Sequence, residues 1–451
     1  MLIAMAIAIV SFHQPPILPL ESFLFQVELR FPKLIGAEAE RLAVTAKRRA
    51  KQGAFDPQIT LGTESLRYNS ASTRGKASAG VSNELGIEVA TPQGLKLATG
   101  RSWNAGSVKS PDSATGSDGS YFLYAKLPLA RGGGINEKLV GLAQARLAEP
   151  AATLNLAGLR QNTLLEASLT YFEWSGAVQK LQIARKLLDV GIFRATGLQK
   201  ELAKGLQAAI TLTEAEAEVE RRRANFIKAQ RDLDKATLKL SKFTWDGSDL
   251  FKLSPAPLRQ PELLAESALA EALQRARDLR PELQLIALQT ESTRLEGKLA
   301  QNDLRPAVDL VFSPSADLGN KSVGGAYKFG VTASIPLYQN DARGRREEAL
   351  QKEQKFTREA ELLQRTIELE VRDANSAIQR SQERFIAAQE RYAKTKKVEE
   401  GELKLFQAGL GTLFLVNQRE QATAEAGSLL IDIQVEYEQA QAAFLAASMS
   451  F

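Results

Sequence analysis

Cysteine is absent from the 451-residue chain, and histidine occurs once, as His13. The first absence rules out a disulfide framework, a thiolate nucleophile and a cysteine-ligated metal. The second rules out, within one chain, a histidine metal cluster or a Ser-His proton relay. A cysteine-free chain suits an exported protein that avoids mispaired thiols, although it names no compartment. Strong net charge is also lacking: 58 basic side chains stand against 53 acidic ones, for a net charge of +5. That mixture describes a solvated surface and not a nucleic-acid patch. Long apolar runs are missing with one exception, residues 2–10 (LIAMAIAIV). The run is too short to span a bilayer and has the length of a signal-peptide h-region. No Lys or Arg precedes it and no A-x-A site follows, so a buried N-terminus is the other reading. Residues 1–20 are set apart on this basis.

Proline is missing over long stretches. Between 135 and 204 only Pro150 occurs, and between 342 and 407 there is none. The second stretch is rich in Glu, Gln, Arg, Ala and Leu, all strong helix formers. Leu363, Ile367, Val371, Ala374, Ile378, Phe385 and Ala388 recur at helical spacing. Each stretch predicts a helix roughly 100 Å long, too long for an ordinary globule and suited to coiled-coil packing. Shorter helices are predicted over 207–242 and 412–447, about 55 Å each, and over 21–54 and 263–304, roughly 50–60 Å each. One of each kind, end to end, matches one long helix.

The chain repeats itself. Pro32 and Pro281 lie 249 positions apart, and so do Pro57 and Pro306. Leu127-Pro128-Leu129 matches Ile335-Pro336-Leu337 at 208. Glu166 matches Glu370, and Gly205-Leu206 matches Gly409-Leu410, both at 204. The order is the same twice over: helix, proline, strands, proline, long helix, glycine, shorter helix. The organisation expected is a first repeat over 21–243 with strands within 57–129, a linker at 244–262 rich in Pro, Asp, Gly and Ser, and a second repeat over 263–451 with strands within 306–337. The first repeat carries 41 more residues between its second and third anchors, the difference between the 249 and 208 spacings.

Strand signals sit between the helices. Tyr327, Phe329, Val331, Ala333 and Ile335 alternate with Lys328, Gly330, Thr332 and Ser334, so one face is apolar. Either a sheet lying on a soluble core or a barrel strand facing lipid has this pattern. Val308, Leu310 and Phe312 alternate similarly, as do Ile59 with Leu61, and Tyr121, Leu123, Ala125 and Leu127. The extra residues contain a hairpin of their own, 85–90 and 95–102, around the turn Thr91-Pro92-Gln93-Gly94. A few strands cannot close a barrel, and helices with one apolar stripe cannot stand alone. Several copies around one axis repair both deficits.

On the duplication, the Pro-led strand after the first helix, Leu127-Pro128-Leu129 with Gly132-Gly133-Gly134, and Ala408-Gly409 with Thr412 opening an Ala-rich helix, the chain resembles the TolC family of outer-membrane efflux proteins. The resemblance covers nearly everything after about residue 21. It implies an α+β, mainly α fold: tandem-duplicated long helical hairpins forming a trimeric α-barrel, with a transmembrane antiparallel β-barrel of twelve strands completed by oligomerisation. It implies a homotrimer in outer-membrane lipid, with a tunnel in the periplasm, a periplasmic adaptor (membrane fusion protein) and an inner-membrane transporter as partners. No cofactor and no nucleic acid enter, and the chain is expected to be a passive export duct, not an enzyme. The rival is a soluble coiled-coil scaffold. The extra hairpin departs from the simplest family pattern and has two possible placements, enlarging the barrel or covering its mouth.

Gly205 and Gly409 mark reversals of long helices, where positive φ is needed. The resemblance adds that Gly205, Leu206, Gly409, Leu410, Gly411 and Thr412 close the duct and touch the adaptor. Where the family carries an acidic constriction ring, this chain reads Leu415, Asn417 and Gln418; a mixed apolar and polar gate is one reading and helix packing the other. Arg343-Gly344-Arg345-Arg346 is read as a basic girdle or a solvated helix start, Arg221-Arg222-Arg223 as a solvated helix face. Glu399-Glu400 is read as exposed helix surface, with no role in proton transfer.

Overall fold

The computed structural model describes residues 16–69, 75, 77–107, 114–205, 208–262, 265–317 and 325–451. The apolar run 2–10, His13 and Leu206 lie outside them. The chain divides into two units. One takes in the chain up to Glu38, Leu156–Pro281 and Leu363–Phe451; the other takes in Ala39–Asn155 and Glu282–Leu362.

Along the chain come β1 (Ile17–Leu18), α1 (Leu20–Arg30), α2 (Pro32–Gln52), β2 (Gln58–Tyr68), β3 (Ser78–Ala90), β4 (Lys96–Gly106), β5 (Ser120–Pro128), α3 (Glu137–Ala203) and α4 (Ala209–Ser241). There follow β6 (Ser254–Pro255), α5 (Glu266–Leu279), α6 (Pro281–Asp303), β7 (Ala307–Asp317), β8 (Ala326–Ser334), α7 (Asn340–Gln407) and α8 (Leu413–Ala447). The duplication is visible in these bounds. Helices α2 and α6 open at Pro32 and Pro281, and strands β2 and β7 open 249 positions apart. Helices α3 and α7 end 204 apart, and α4 and α8 begin 204 apart.

The helices expected over 21–54 and 263–304 are each two helices. A proline cannot donate the next helical hydrogen bond, and it pushes the residue before it out of the helical region. Phe31 (φ −69°, ψ 119°) and Arg280 (φ −59°, ψ 119°) are extended in consequence. Each proline then starts the next helix at its first turn, where its missing N–H costs nothing.

The first unit holds an aromatic core. Phe23, Val27, Phe31 and Leu34 of α1 and α2 meet Tyr171, Phe172 and Trp174 of α3, with Leu240 and Phe243 at the end of α4. Tyr171 stacks on Phe23 at 5.8 Å and meets Trp174 edge-on at 5.7 Å. The linker 244–262 is tied into this unit. Its β6 pairs in parallel with β1. The Tyr171 hydroxyl donates to the Leu18 carbonyl at 2.6 Å and accepts from the Ala256 amide at 3.0 Å. The Tyr437 hydroxyl accepts from the Glu262 amide at 2.9 Å and donates to its carbonyl at 3.1 Å. Of the stripe read from helical spacing, Ile367, Val371, Ala374, Ile378, Phe385 and Ala388 are buried and Leu363 is half-buried.

The second unit is built on a sheet. Among the described residues it has six strands in the order β2-β3-β4-β5-β7-β8, and every neighbouring pair is antiparallel. The hairpin read from 85–102 is longer than its hydrophobic core. Its strands pair from Gly80↔Gly106 to Ala90↔Lys96, and Thr91-Pro92-Gln93-Gly94 turns between them with Gly94 at φ +89°. The last strand stops earlier than expected: β8 ends at Ser334, so Ile335 lies one residue beyond it.

Candidate functional site

The register of the sheet gathers its apolar side chains on one face. Tyr327, Phe329, Val331 and Ala333 of β8 stand opposite Pro314, Phe312, Leu310 and Val308 of β7. Ala125 and Leu127 of β5 stand opposite Phe312 and Leu310. At the other side of the sheet Ile59 and Leu61 stand opposite Ile87 and Leu85. Because strand side chains alternate, all these groups share one face, and none of the described residues buries its edge strand: Ile59 is 77% and Leu61 83% exposed. From Tyr327 to Ala333 the apolar face runs about 20 Å at the usual strand rise, close to the lipid band of a membrane barrel.

Trp103, Tyr121 and Tyr327 lie toward the same end of this face, the position in which aromatic girdles meet a lipid–water boundary. The Arg101 guanidinium lies 4.8 Å from the Trp103 ring and 5.2 Å from that of Tyr121. The opposite face carries small, polar and charged side chains together with Phe122 and Tyr124 of β5. Lys126 pairs with Asp309 there at 2.6 Å.

The helix reversals form the second feature, within the first unit. Helix α7 ends with Gly409 at φ +76°; its amide donates to Phe406 at 3.0 Å and the Leu410 amide to Leu405 at 2.9 Å. This pair of hydrogen bonds is the Schellman closure, which requires the left-handed residue that glycine supplies. Gly205 closes α3 at φ +72°. Thr412 caps α8, its hydroxyl accepting from the Leu415 amide at 3.4 Å. Gly411 lies against the α7 backbone, where a Cβ would come 3.0 Å from the Phe406 nitrogen. Leu410 is 78% exposed, and Ile210 and Phe414 are exposed as well, so the reversals offer apolar side chains to solvent.

Of the three gate candidates, Gln418 is exposed and Leu415 half-buried. Asn417 does not line an open surface: it is 9% exposed, and its side-chain oxygen accepts from Arg194 at 3.0 Å and Arg222 at 3.2 Å. It belongs to a buried charge cluster that sequence reading missed. Arg194 of α3 and Arg222 of α4 both donate to Glu420 of α8, at 2.9 and 2.8 Å. Arg222 also donates to Glu218 at 2.7 Å and to the Leu187 carbonyl at 2.9 Å.

Gly191 makes the room for this arginine, since a Cβ there would sit 3.0 Å from its Cδ. Arg222 is therefore not part of a solvated face, although Arg221 and Arg223 are exposed. Burial works against the charge on Glu420, but the hydrogen bonds and charge of Arg194, then Arg222, outweigh it and hold the carboxyl below the usual carboxylate range. Glu218 is lowered in the same way, burial being outweighed by Arg221 and Arg222. The only local signal was the Glu218–Arg222 spacing of four; Glu420 lies four helices further along the chain, on α8.

The other basic cluster is a helix start: Arg345 bonds Asp341 at 2.6 Å and Asp303 at 3.0 Å. Among the described residues there is no group of side chains that could hold a metal ion, and no helix is long and apolar enough to cross a membrane.

No family model and no curated protein matches the sequence. Solved structures do match the fold. The outer-membrane channel OprN superposes with a TM-score of 0.73 at 16% identity, over 96% of this chain and 90% of that one. The Campylobacter jejuni CmeC outer membrane channel gives 0.71 at 13% identity, over 96% and 85%. The Vibrio cholerae outer membrane protein VceC gives 0.68 at 14% identity, over 95% of each chain. The chain has the fold of these outer-membrane channels, as its duplication and proline anchors led one to expect.

Proposed function

We propose that this protein is a passive outer-membrane export duct of a tripartite efflux or type I secretion system. It joins an inner-membrane transporter and a periplasmic adaptor to the cell exterior and performs no chemistry itself. The observation that carries this reading is the exposed, largely apolar face of the sheet, interrupted at β4 by Thr99 and Arg101 and bounded by the edge strands β2 and β8. In water such a surface is an aggregation hazard; in lipid, with the edges joined to further copies, every backbone group is satisfied. A soluble scaffold has no use for it. Three copies complete the wall, and their helices line the duct in the periplasm. The neighbours' description as outer-membrane channels supports the same reading.

Within this reading the reversals at Gly205, Leu206, Gly409, Leu410, Gly411 and Thr412 dock the adaptor, with exposed Leu410 as the main apolar contact. Leu415 and Gln418 are the residues left to narrow the duct. Tyr327, Phe329, Val331, Ala333 and Ile335 face lipid. The test is to express the full chain in a Gram-negative host, fractionate the membranes and weigh the detergent-extracted species. A trimer recovered from the outer membrane is expected; a monodisperse water-soluble monomer overturns the proposal. Leu410→Asp should leave the trimer intact and abolish adaptor cross-linking.

A further inference from the structure

We infer that the inserted hairpin β3–β4 is barrel wall, so that each copy contributes six strands and three copies close a barrel of eighteen. The inference rests on the reading of the sheet as a membrane barrel completed by further copies. It departs from the twelve strands that the family resemblance implies.

Comparing the two repeats locates the insertion. In the second repeat the Pro306-led strand β7 pairs directly with β8. In the first, the equivalent strands β2 and β5 do not touch: β3 and β4 stand between them, pairing with β2 from Gln58↔Glu88 to Tyr68↔Ser78 and with β5 from Lys96↔Lys126 to Ser102↔Ser120. A hairpin folded over the mouth would leave β2 on β5, as β7 lies on β8.

Side chains fasten the hairpin in the plane. The Phe122 ring of β5 lies across Gly100 of β4 and reaches Gly86 of β3; a Cβ on these glycines would come 2.9 and 3.4 Å from its Cζ. An aromatic ring laid over cross-strand glycines pins register, and here it pins three strands at once. The hairpin also continues the apolar face. On β3, Val81, Leu85, Ile87 and Val89 alternate with Ser82, Glu84, Gly86 and Glu88, in phase with Ile59 and Leu61; β4 adds Leu97 and Trp103 to that face, with Asn83, Thr99 and Arg101 as its polar members.

The partner for each free edge is a second copy. Strands β2 and β8 run in opposite directions, so β8 of one copy meets β2 of the next as an antiparallel pair, with Thr332 and Thr60 on the same, non-lipid face. Barrel diameter grows with strand number. At a strand spacing of about 4.8 Å and a tilt of about 40°, eighteen strands give a backbone diameter of about 36 Å, against about 24 Å for twelve. The outer-membrane pore is half as wide again, lined by the face that carries Lys126 and Asp309.

Cryo-electron microscopy of the full-length assembly in lipid nanodiscs counts the strands. Eighteen around three copies is the expected result. Twelve around three copies, with residues 78–106 outside the wall, overturns the inference and leaves the duct intact; a membrane-free particle without a barrel overturns the duct as well. The absence of cysteine allows a second measurement on the natural background. In Ile87→Cys, an attached fluorophore should be quenched by brominated acyl chains as strongly as in Leu310→Cys, and in Glu88→Cys it should not. An unquenched label at Ile87→Cys, with Leu310→Cys quenched, places the hairpin off the wall and refutes it.

Discussion

Arg222 of α4 donates to Glu420 of α8 at 2.8 Å, with the arginine side chain wholly excluded from solvent and the glutamate 6% exposed. Removing one partner of a buried ion pair strands the other, at a cost of about 3–5 kcal/mol. Here two arginines share this carboxylate, and Arg222 has Glu218 as a second carboxylate partner. Glu420→Gln should therefore loosen the packing of α3, α4 and α8 near their reversals. Hydrogen exchange of α8 amides is expected to speed by roughly 10²- to 10³-fold, since each 1.4 kcal/mol is about a factor of ten. Gln421→Ala, half-buried on the same helix and bonded to neither Glu420 nor Arg194, should change little.

Acid should act at the same place. Glu420 and Glu218 have carboxyl groups held below the usual range in the folded chain, burial being outweighed by Arg194 and Arg222 for the first and by Arg221 and Arg222 for the second. A lowered folded-state pKa means stability that is present above the unfolded value of about 4.3. It is lost as pH falls through the lower, folded value. Helix α8 should keep its protection down to about pH 4.3 and lose it progressively below. Glu420→Gln should flatten that acid limb in exchange measurements.

The linker offers a pair of matched substitutions. Tyr171→Phe leaves the Leu18 carbonyl and the Ala256 amide without their shared hydroxyl; Tyr437→Phe does the same to Glu262. Each should cost about 1–3 kcal/mol. Limited proteolysis within 244–262 should quicken in both, while the sheet is unaffected.

In the sheet, Gly100 tolerates no side chain: a Cβ would lie 2.3 Å from the Leu85 carbonyl oxygen and 2.6 Å from the Gly86 Cα. Gly100→Val should prevent β3 and β4 from pairing, read as protease cleavage within 78–106. Phe122→Ala, which only uncovers the two glycines, should give partial cleavage.

Two glycines of the α7 hairpin should respond in opposite directions. Gly409 has φ +76°, so Gly409→Ala forces a left-handed alanine at a cost of about 1–2 kcal/mol. Gly401 is helical and has open space around its Cα, so Gly401→Ala should stabilise α7 by about 0.5–1 kcal/mol. Thermal midpoints of the two variants should move apart.

What sequence reading could reach follows from the distance over which each feature is encoded. The long helices, the strand alternation and the reversals at Gly205 and Gly409 are local patterns, and they stand within a few residues of where they were read. The repeat was legible because its anchors are prolines, whose conformational effect survives when neighbours change. The same prolines also break α1 from α2 and α5 from α6, a consequence that helical periodicity hid because the pattern resumes after one extended residue. Arg222 was misread for another reason. A triple-arginine run looks solvated on its own helix, and only a glutamate 198 positions later, with a gap at Gly191, makes burial tolerable. The hairpin was recognised, but its place in the sheet depended on pairings made across the chain.

The insertion of β3 and β4 as a pair has a consequence for how such walls change size. A hairpin adds one ascending and one descending strand, so the two rims of the sheet keep their polarity and the joint between neighbours is left as it was. A single added strand would turn one rim over and oblige the copies to meet in parallel. Circumference can thus be altered in one chain, by steps of two, without redesigning the seam or the number of subunits.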